Sequence, residues 1–303
     1  MLCVHAYTLA LESDFVLKTP TGDISGTVSI PTTTEKVPVV LFIAGSGPTD
    51  RNGNALRMML NCNAYKLLAD SLLNHHIAML RFDKRFIGKS VVASGKEEDL
   101  RFETYINDVK SWIDTLATDA RFSEIIVAGH SEGSLIGMIA AENNPKVAKY
   151  ISISGIAVTA DEIIKEQLST QPQQVKDLVF PMLDSLKMGK TIDNVPQMLY
   201  ALLRPSVQPY MISWLKYNPQ EEIAKLHIPI LILQGTTDIQ VDKNQAEKLH
   251  AANPKSTLCI IENMNHVLKT CTSTDKTTQM QTYTNPDFPL ADGLVTEIVN
   301  YIK

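Results

Sequence analysis

The run VPVVLFIAG, Val37 to Gly45, limits the fold more than any other feature of this chain. It is apolar throughout, rich in β-branched residues, and stopped by a glycine. A strand with one wet face alternates apolar and polar side chains, whereas an unbroken apolar run has both faces covered. Short runs of the same kind recur as IAMLRFD, EIIVAG, YISISGI, PILILQG and STLCIIEN. Helical spacing marks AYKLLADSLLNHH, with Tyr65, Leu68 and Leu72 on one stripe, and LRFETYINDVKSWIDTLAT, with Tyr105, Val109 and Ile113. LIGMIAAENN is helical as well, and PLADGLVTEIVNYIK closes the chain as a helix. Strand and helix in alternation predict an α/β fold, with a mostly parallel central sheet and helices on both faces. Ahead of it, AYTLALES and FVLKTPTGDISGTVSIP flank turn residues at Thr21, Gly22 and Asp23 and predict a β-hairpin.

One region breaks the rhythm. From Val158 to Ala224 there is no strand pattern, and the stretch holds Met182, Met188, Met198, Met211, Tyr200, Tyr210, Trp214 and Tyr217. It reads as a helical insertion, 158–224, in a core domain formed by 1–157 and 225–303. Such an insertion could lie over a site as a cap or lid. Most of its methionines and aromatics are expected to form its own core.

The chain has 303 residues and a formal net charge of −5, with no basic run, so its charge gives no general attraction to nucleic acid or anionic membrane. No apolar run reaches membrane-spanning length. Cys3, Cys62, Cys259 and Cys271 lie far apart without a C-x-x-C pair, which argues against zinc or redox dithiol chemistry and for reduced thiols. No metal or organic cofactor is implied. The N-terminal MLCVHAYTLALESDF lacks a basic segment and soon meets Glu12 and Asp14, so it makes a poor signal peptide. A cytoplasmic protein, monomer or homodimer, is expected, and a secreted or periplasmic form whose leader is absent from this chain stays open.

The chemistry is concentrated around Gly129-His130-Ser131-Glu132-Gly133. An apolar strand precedes Ser131 and a small-residue helix follows it, the setting of a nucleophile elbow. A Cβ at Gly129 or Gly133 would collide with neighbouring backbone in so sharp a turn. The alternative is a serine that merely caps the helix. A nucleophilic serine needs a base, and the base needs an orienting acid. Of the histidines, His130 would point away from Ser131, and His5 lies in the hairpin region. His75 and His76 end a helix, His227 enters a strand, and His250 sits on a helix. His266, in IENMNHVLK, falls just past the C-terminal end of the last strand, the edge where sites form in open parallel sheets. After the preceding strand, GTTDIQV offers Asp238, with Asp242 further into the next helix start as its rival. Either aspartate is also a natural turn or cap residue.

An oxyanion hole needs backbone N–H groups aimed at the developing charge. One is expected from Glu132, the residue after the serine, and one from Ser46, with Gly47 next, in the loop AGSGPTDRNGN. That loop also holds Asp50 and Arg51, which either order it or touch substrate, or else form a surface ion pair of little worth. Glu132 poses a puzzle, because a carboxylate beside an oxyanion is costly. A hydrogen-bond network with Arg51 or Arg85 is the expected answer, and a carboxylate bordering the pocket is the other.

Taken together, GHSEGS, GSGPTDRNGN, RFDKRFIGKS, GTTDIQV, NMNHVLK and YTNPDFPL resemble the α/β-hydrolase superfamily. They are most similar to its bacterial esterase-like and serine-aminopeptidase-like serine hydrolases. The resemblance runs from Phe15 to the C-terminus and says least about the insertion. It implies an α/β-hydrolase fold, Ser131 as nucleophile, Asp238 as acid, His266 as base, and the Ser46 and Glu132 amides as oxyanion donors. It also implies a structural strand-turn at Arg85 and Gly88, where Phe86 replaces the more usual glycine, while Ala44 stands where many hydrolases carry histidine. The implied activity is cleavage of carboxylic esters of small or medium acyl groups through an acyl-enzyme. A peptidase, thioesterase or acyltransferase with the same triad is the alternative, and a non-catalytic binder on the same fold a third.

Overall fold

Strand β3 (Val37–Ile43) sends Val39, Leu41 and Ile43 into one apolar core and Val40 and Phe42 into another, so both of its faces are buried. The two cores flank one sheet in this computed structural model, which describes residues 10–90 and 95–303. The chain opens with the expected hairpin, β1 (Ala10–Thr19) and β2 (Gly22–Pro31), paired antiparallel with Thr19 opposite Gly22. The start of AYTLALES, with His5 and Cys3, lies outside the described residues. After β3 come the two-residue strands β4 (Asn54–Ala55) and β5 (Leu60–Asn61), which pair with each other, and then α1 (Ala64–Leu73). The order continues with β6 (Ala78–Phe82), α2 (Phe102–Ala117), β7 (Phe122–His130), α3 (Glu132–Ala141) and β8 (Val147–Ile153).

The helices α4 (Ala160–Gln167), α5 (Gln173–Lys187), α6 (Tyr200–Leu203), α7 (Gln208–Trp214) and α8 (Pro219–Ala224) separate β8 from β9 (Ile230–Gly235). Then follow α9 (Lys243–Ala252), β10 (Thr257–Ile261), α10 (Lys276–Thr284) and α11 (Leu294–Ile302). The main sheet runs β1-β2-β6-β3-β7-β8-β9-β10. β6, β3, β7, β8, β9 and β10 are mutually parallel, and β2 runs against them. Side chains of α1 and α11 pack on one face, those of α2, α3 and α9 on the other. No described helix is long and apolar enough to cross a membrane. The β4–β5 excursion and α10 were not legible in the sequence, since the former is too short for periodicity and the polar KTTQMQTYT carries no apolar stripe.

The expected self-contained core of segment 158–224 does not form as such. Met211, Tyr210 and Trp214 are buried, but they join the sheet-face core alongside Phe102 and Tyr105 of α2. Phe102 stacks on Trp214 at 6.0 Å, and the Ser213 hydroxyl accepts the Phe102 N–H at 2.7 Å. Met188, Met198 and Tyr200 are exposed instead. The reason is size: short helices cannot close a core of their own, so their apolar faces complete the larger one.

Candidate active site

The turn between β7 and α3 is made by one residue. Ser131 has φ 54° and ψ −121°, a backbone conformation that side-chain-bearing residues rarely adopt. Such strain costs on the order of 1–3 kcal/mol and persists only where the surroundings over-determine it. Here the Ser131 N–H donates to the Ile153 carbonyl at 3.0 Å, and the Ser131 carbonyl accepts the Ser134 N–H at 3.0 Å. A Cβ on Gly129 would stand 2.1 Å from the Gly133 oxygen, and one on Gly133 would stand 2.4 Å from the Ile43 oxygen. Close packing thus requires both glycines, as the pattern predicts.

Asp238 and His266 meet at the ends of β9 and β10. His266 Nδ1–H donates to Asp238 Oδ2 at 2.8 Å, leaving Nε2 as the free basic nitrogen. The Asp238 carboxylate also accepts the N–H groups of Gln240 at 2.8 Å and Val241 at 2.9 Å. Burial alone would raise its pKa, but the facing His266 and these amides outweigh burial and hold it below the ordinary value. Asp238 is therefore both turn aspartate and histidine partner. Its rival Asp242 instead caps α9 by accepting the Asn244 N–H at 2.9 Å. The loops are pressed together at Gly235, where a Cβ would lie 1.8 Å from the Met264 oxygen.

His130 ties these loops to the elbow. Its Nε2–H donates to the His266 carbonyl at 2.8 Å, so in the neutral ring Nδ1 is bare and accepts the Tyr65 hydroxyl at 2.8 Å. The Tyr65 oxygen in turn accepts the Gly45 N–H at 3.4 Å. Burial first, then the neighbouring His266, push the His130 pKa down to about 3, so the ring is uncharged at neutral pH. Its ring centroid stands 4.7 Å from that of His266. The Ser131 hydroxyl, partly exposed, makes no hydrogen bond to His266 among the described residues. The remaining described histidines stand elsewhere: His75, His76 and His227 are exposed, and His250 of α9 bonds the Ser256 hydroxyl.

Gly45 brings the loop after β3 against the elbow, since a Cβ there would sit 3.3 Å from Ser131 Cβ. Ser46 and Gly47 are exposed beyond it, and Gly47 has φ 74°. The side chains of Asp50 and Arg51 order this loop. Asp50 Oδ1 accepts the N–H groups of Asn52 at 2.8 Å and Asn54 at 2.9 Å. Arg51 is not the surface ion pair that the sequence allowed: it is buried, paired to Asp83 at 2.8 Å, and donates to Ser25 and Thr27.

Glu132 does enter a network, but with other partners than Arg51 or Arg85. Arg85 is committed to a two-pronged pair with Asp108 of α2. Glu132 Oε2 accepts from Lys84 Nζ at 2.8 Å, and Oε1 accepts the Tyr210 hydroxyl at 2.6 Å. Burial and the adjacent Glu132 keep the Tyr210 hydroxyl protonated, its pKa well above normal. Sequence reasoning gave no site role to Lys84, Tyr65 or Tyr210. Lys84 could have been found by the rule that selected Asp238 and His266, because it follows β6 at the same sheet edge; Tyr210 comes from a helix far along the chain and carried no local signal. Among the described residues no three His, Cys, Asp or Glu side chains converge as metal ligands. Cys62 and Cys271 are buried free thiols, and Cys259 is a partly buried one.

Comparison with known proteins bears on the fold and the family rather than on these contacts. Residues 57–202 match the family model described as serine aminopeptidase, S33, a stretch that includes Ser131 but neither Asp238 nor His266. Esterase EstD of Thermotoga maritima is 22% identical over 258 residues, covering 81% of this chain, and the chain spans 58% of that esterase's length. Among solved structures, Est1E from Butyrivibrio proteoclasticus, with ferulic acid bound, superposes with a TM-score of 0.63 at 16% identity, over 95% of this chain and 96% of that one. The Pyrococcus furiosus esterase Pf2001 gives 0.58 at 14% identity, over 97% of this chain and 90% of that one. At such identities the structural likeness speaks for the fold alone. The fold is that of the α/β-hydrolases, and the family model and the sequence similarity both point to an esterase-like, serine-aminopeptidase-like group within it.

Proposed function

We propose that this protein hydrolyses carboxylic esters of small or medium acyl groups through an acyl-enzyme on Ser131. The observation that carries the proposal is the buried Asp238–His266 hydrogen bond of 2.8 Å, on a loop that docks onto the residue preceding Ser131. On substrate binding, Ser131 Oγ attacks the ester carbonyl while His266 Nε2 takes its proton. Asp238 holds the ring in the tautomer with a bare Nε2 and stabilises the imidazolium. The backbone N–H groups of Ser46 and Glu132 receive the carbonyl oxygen as it gains charge. Collapse expels the alcohol, which takes the proton from His266. A water, deprotonated by the same nitrogen, then releases the acid and restores Ser131. Segment 158–224 acts as the cap over this site, and Gly47, Asp50 and Arg51 support the oxyanion loop rather than bind the acyl group.

The peptidase alternative loses its best anchor. An enzyme trimming N-termini needs a carboxylate for the substrate amine, and that of Glu132 is taken by Lys84 and Tyr210. A panel of p-nitrophenyl acetate and butyrate, a feruloyl ester, an acyl-CoA and an aminoacyl-naphthylamide separates the classes. Esters are expected to turn over fastest, and a fluorophosphonate probe is expected to label Ser131. Turnover surviving in Ser131→Ala would sink the assignment.

A further inference from the structure

Resting on that assignment of the oxyanion donors, we infer that Lys84 is a positioning residue of the oxyanion hole, which turns the Gly45–Ser46 peptide so that its N–H faces the substrate. Lys84 Nζ donates to the Gly45 carbonyl at 2.7 Å. The carbonyl of Gly45 and the N–H of Ser46 belong to one peptide group, planar and trans, so they point in opposite directions. Whatever grips the oxygen from within the protein aims the N–H outward. The ammonium also polarises the peptide and makes the N–H a stronger donor. On its other side Gly45 is held by its own N–H to Tyr65, so the strand-end backbone is gripped at consecutive peptides.

The same ammonium reaches the second donor. Its ion-pair partner is Glu132, whose backbone N–H is the other oxyanion group. The Lys84 and Glu132 side chains are only 2% and 3% exposed, and the Tyr105 ring lies 5.1 Å from Nζ. A positive charge near a helix N-terminus is unfavourable alone, so a carboxylate in the first turn of α3 offsets both the helix dipole and Lys84. This accounts for the glutamate beside the nucleophile: its side chain is the counter-ion of the group that sets the neighbouring amide. Stability alone gives little reason for such a pair, since buried ion pairs roughly break even against apolar residues. Tyr210 of α7 completes the carboxylate's bonds and connects the inserted helices, through Glu132 and Lys84, to the oxyanion loop.

The test uses Lys84→Met, Lys84→Arg and the double variant K84M/E132Q, which leaves no unpaired buried charge. Ester turnover and the affinity of an aryl trifluoromethyl ketone, whose serine adduct carries an oxyanion, are measured in each. Loss of one oxyanion donor costs about 100–1,000-fold, and misaiming one should lower kcat by about 10–100-fold with KM nearly constant. Affinity for the ketone should fall by the same factor as kcat/KM, and Lys84→Arg should recover part of both. A merely structural role would lower Tm and leave this parallel loss absent. Fluorophosphonate labelling of the wild type is read first. An unlabelled Ser131 overturns the triad and this inference with it. A labelled Ser131, with ketone affinity unchanged in folded K84M/E132Q, overturns this inference alone.

Discussion

His130 makes the folded state sensitive to mild acid, and the effect can be worked from its surroundings. The ring is enclosed, donates from Nε2 to the His266 carbonyl and accepts at Nδ1 from Tyr65, so it has no place for a second proton. Its pKa falls from 6.5 to about 3 on folding. The sign follows directly. Below pH 6.5 the unfolded chain binds a proton that the folded chain refuses, so stability falls as pH falls, until the folded ring also protonates near pH 3. The slope is about 1.4 kcal/mol per pH unit, or a loss of roughly 2 kcal/mol by pH 5. His130→Gln keeps an N–H for the His266 carbonyl and cannot titrate. At pH 8 it should be less stable than wild type by about 1 kcal/mol, for the lost Tyr65 bond. The stability curves should then cross near pH 6, with the variant the more stable at pH 5. Urea unfolding of both proteins between pH 8 and pH 4.5 reads this out. A stability difference that stays constant across the range would refute the reasoning.

Asp238→Asn removes the acceptor that fixes the His266 tautomer, so kcat on p-nitrophenyl esters should fall on the order of 10⁴-fold with KM little changed; a loss under tenfold would contradict the assigned role. Arg51→Met strips the guanidinium from buried Asp83. Unfolding should then become easier by about 3–5 kcal/mol, seen as a fall in Tm. Phe86 is 40% exposed with φ 65°, where glycine carries no steric penalty, so Phe86→Gly should raise stability by up to about 1 kcal/mol. A lower Tm in that variant would show that the side chain contributes more than its backbone costs.

Much of the fold was legible because its signals are local. VPVVLFIAG announces burial on both faces by lacking alternation, and β3 is indeed buried on both. The glycines around Ser131 report close backbone approach, which the separations of 2.1 and 2.4 Å bear out. Asp238 and His266 were found by a topological rule, that residues at the carboxyl ends of parallel strands converge. The partners of Glu132 were not legible. Arg51, Lys84 and Arg85 were all cations in nearby loops, and only the way β6 and α2 carry the chain commits Arg51 to Asp83 and Arg85 to Asp108, leaving Lys84 for Glu132.

By itself, then, the sequence determined the layered architecture, the elbow and the chain order of serine, aspartate and histidine. These follow from periodicity and backbone sterics, which act over a few residues. Tertiary structure alone decided which charges pair, which way the Gly45–Ser46 peptide faces and that Tyr210 reaches the site, 78 residues beyond Glu132. Ion pairs and hydrogen bonds are set by separations of a few ångströms between segments far apart in the chain, and a linear pattern carries no such distances. The glutamate beside Ser131 is the clearest case: a liability by its position in the chain, it is in the folded protein the counter-ion of Lys84.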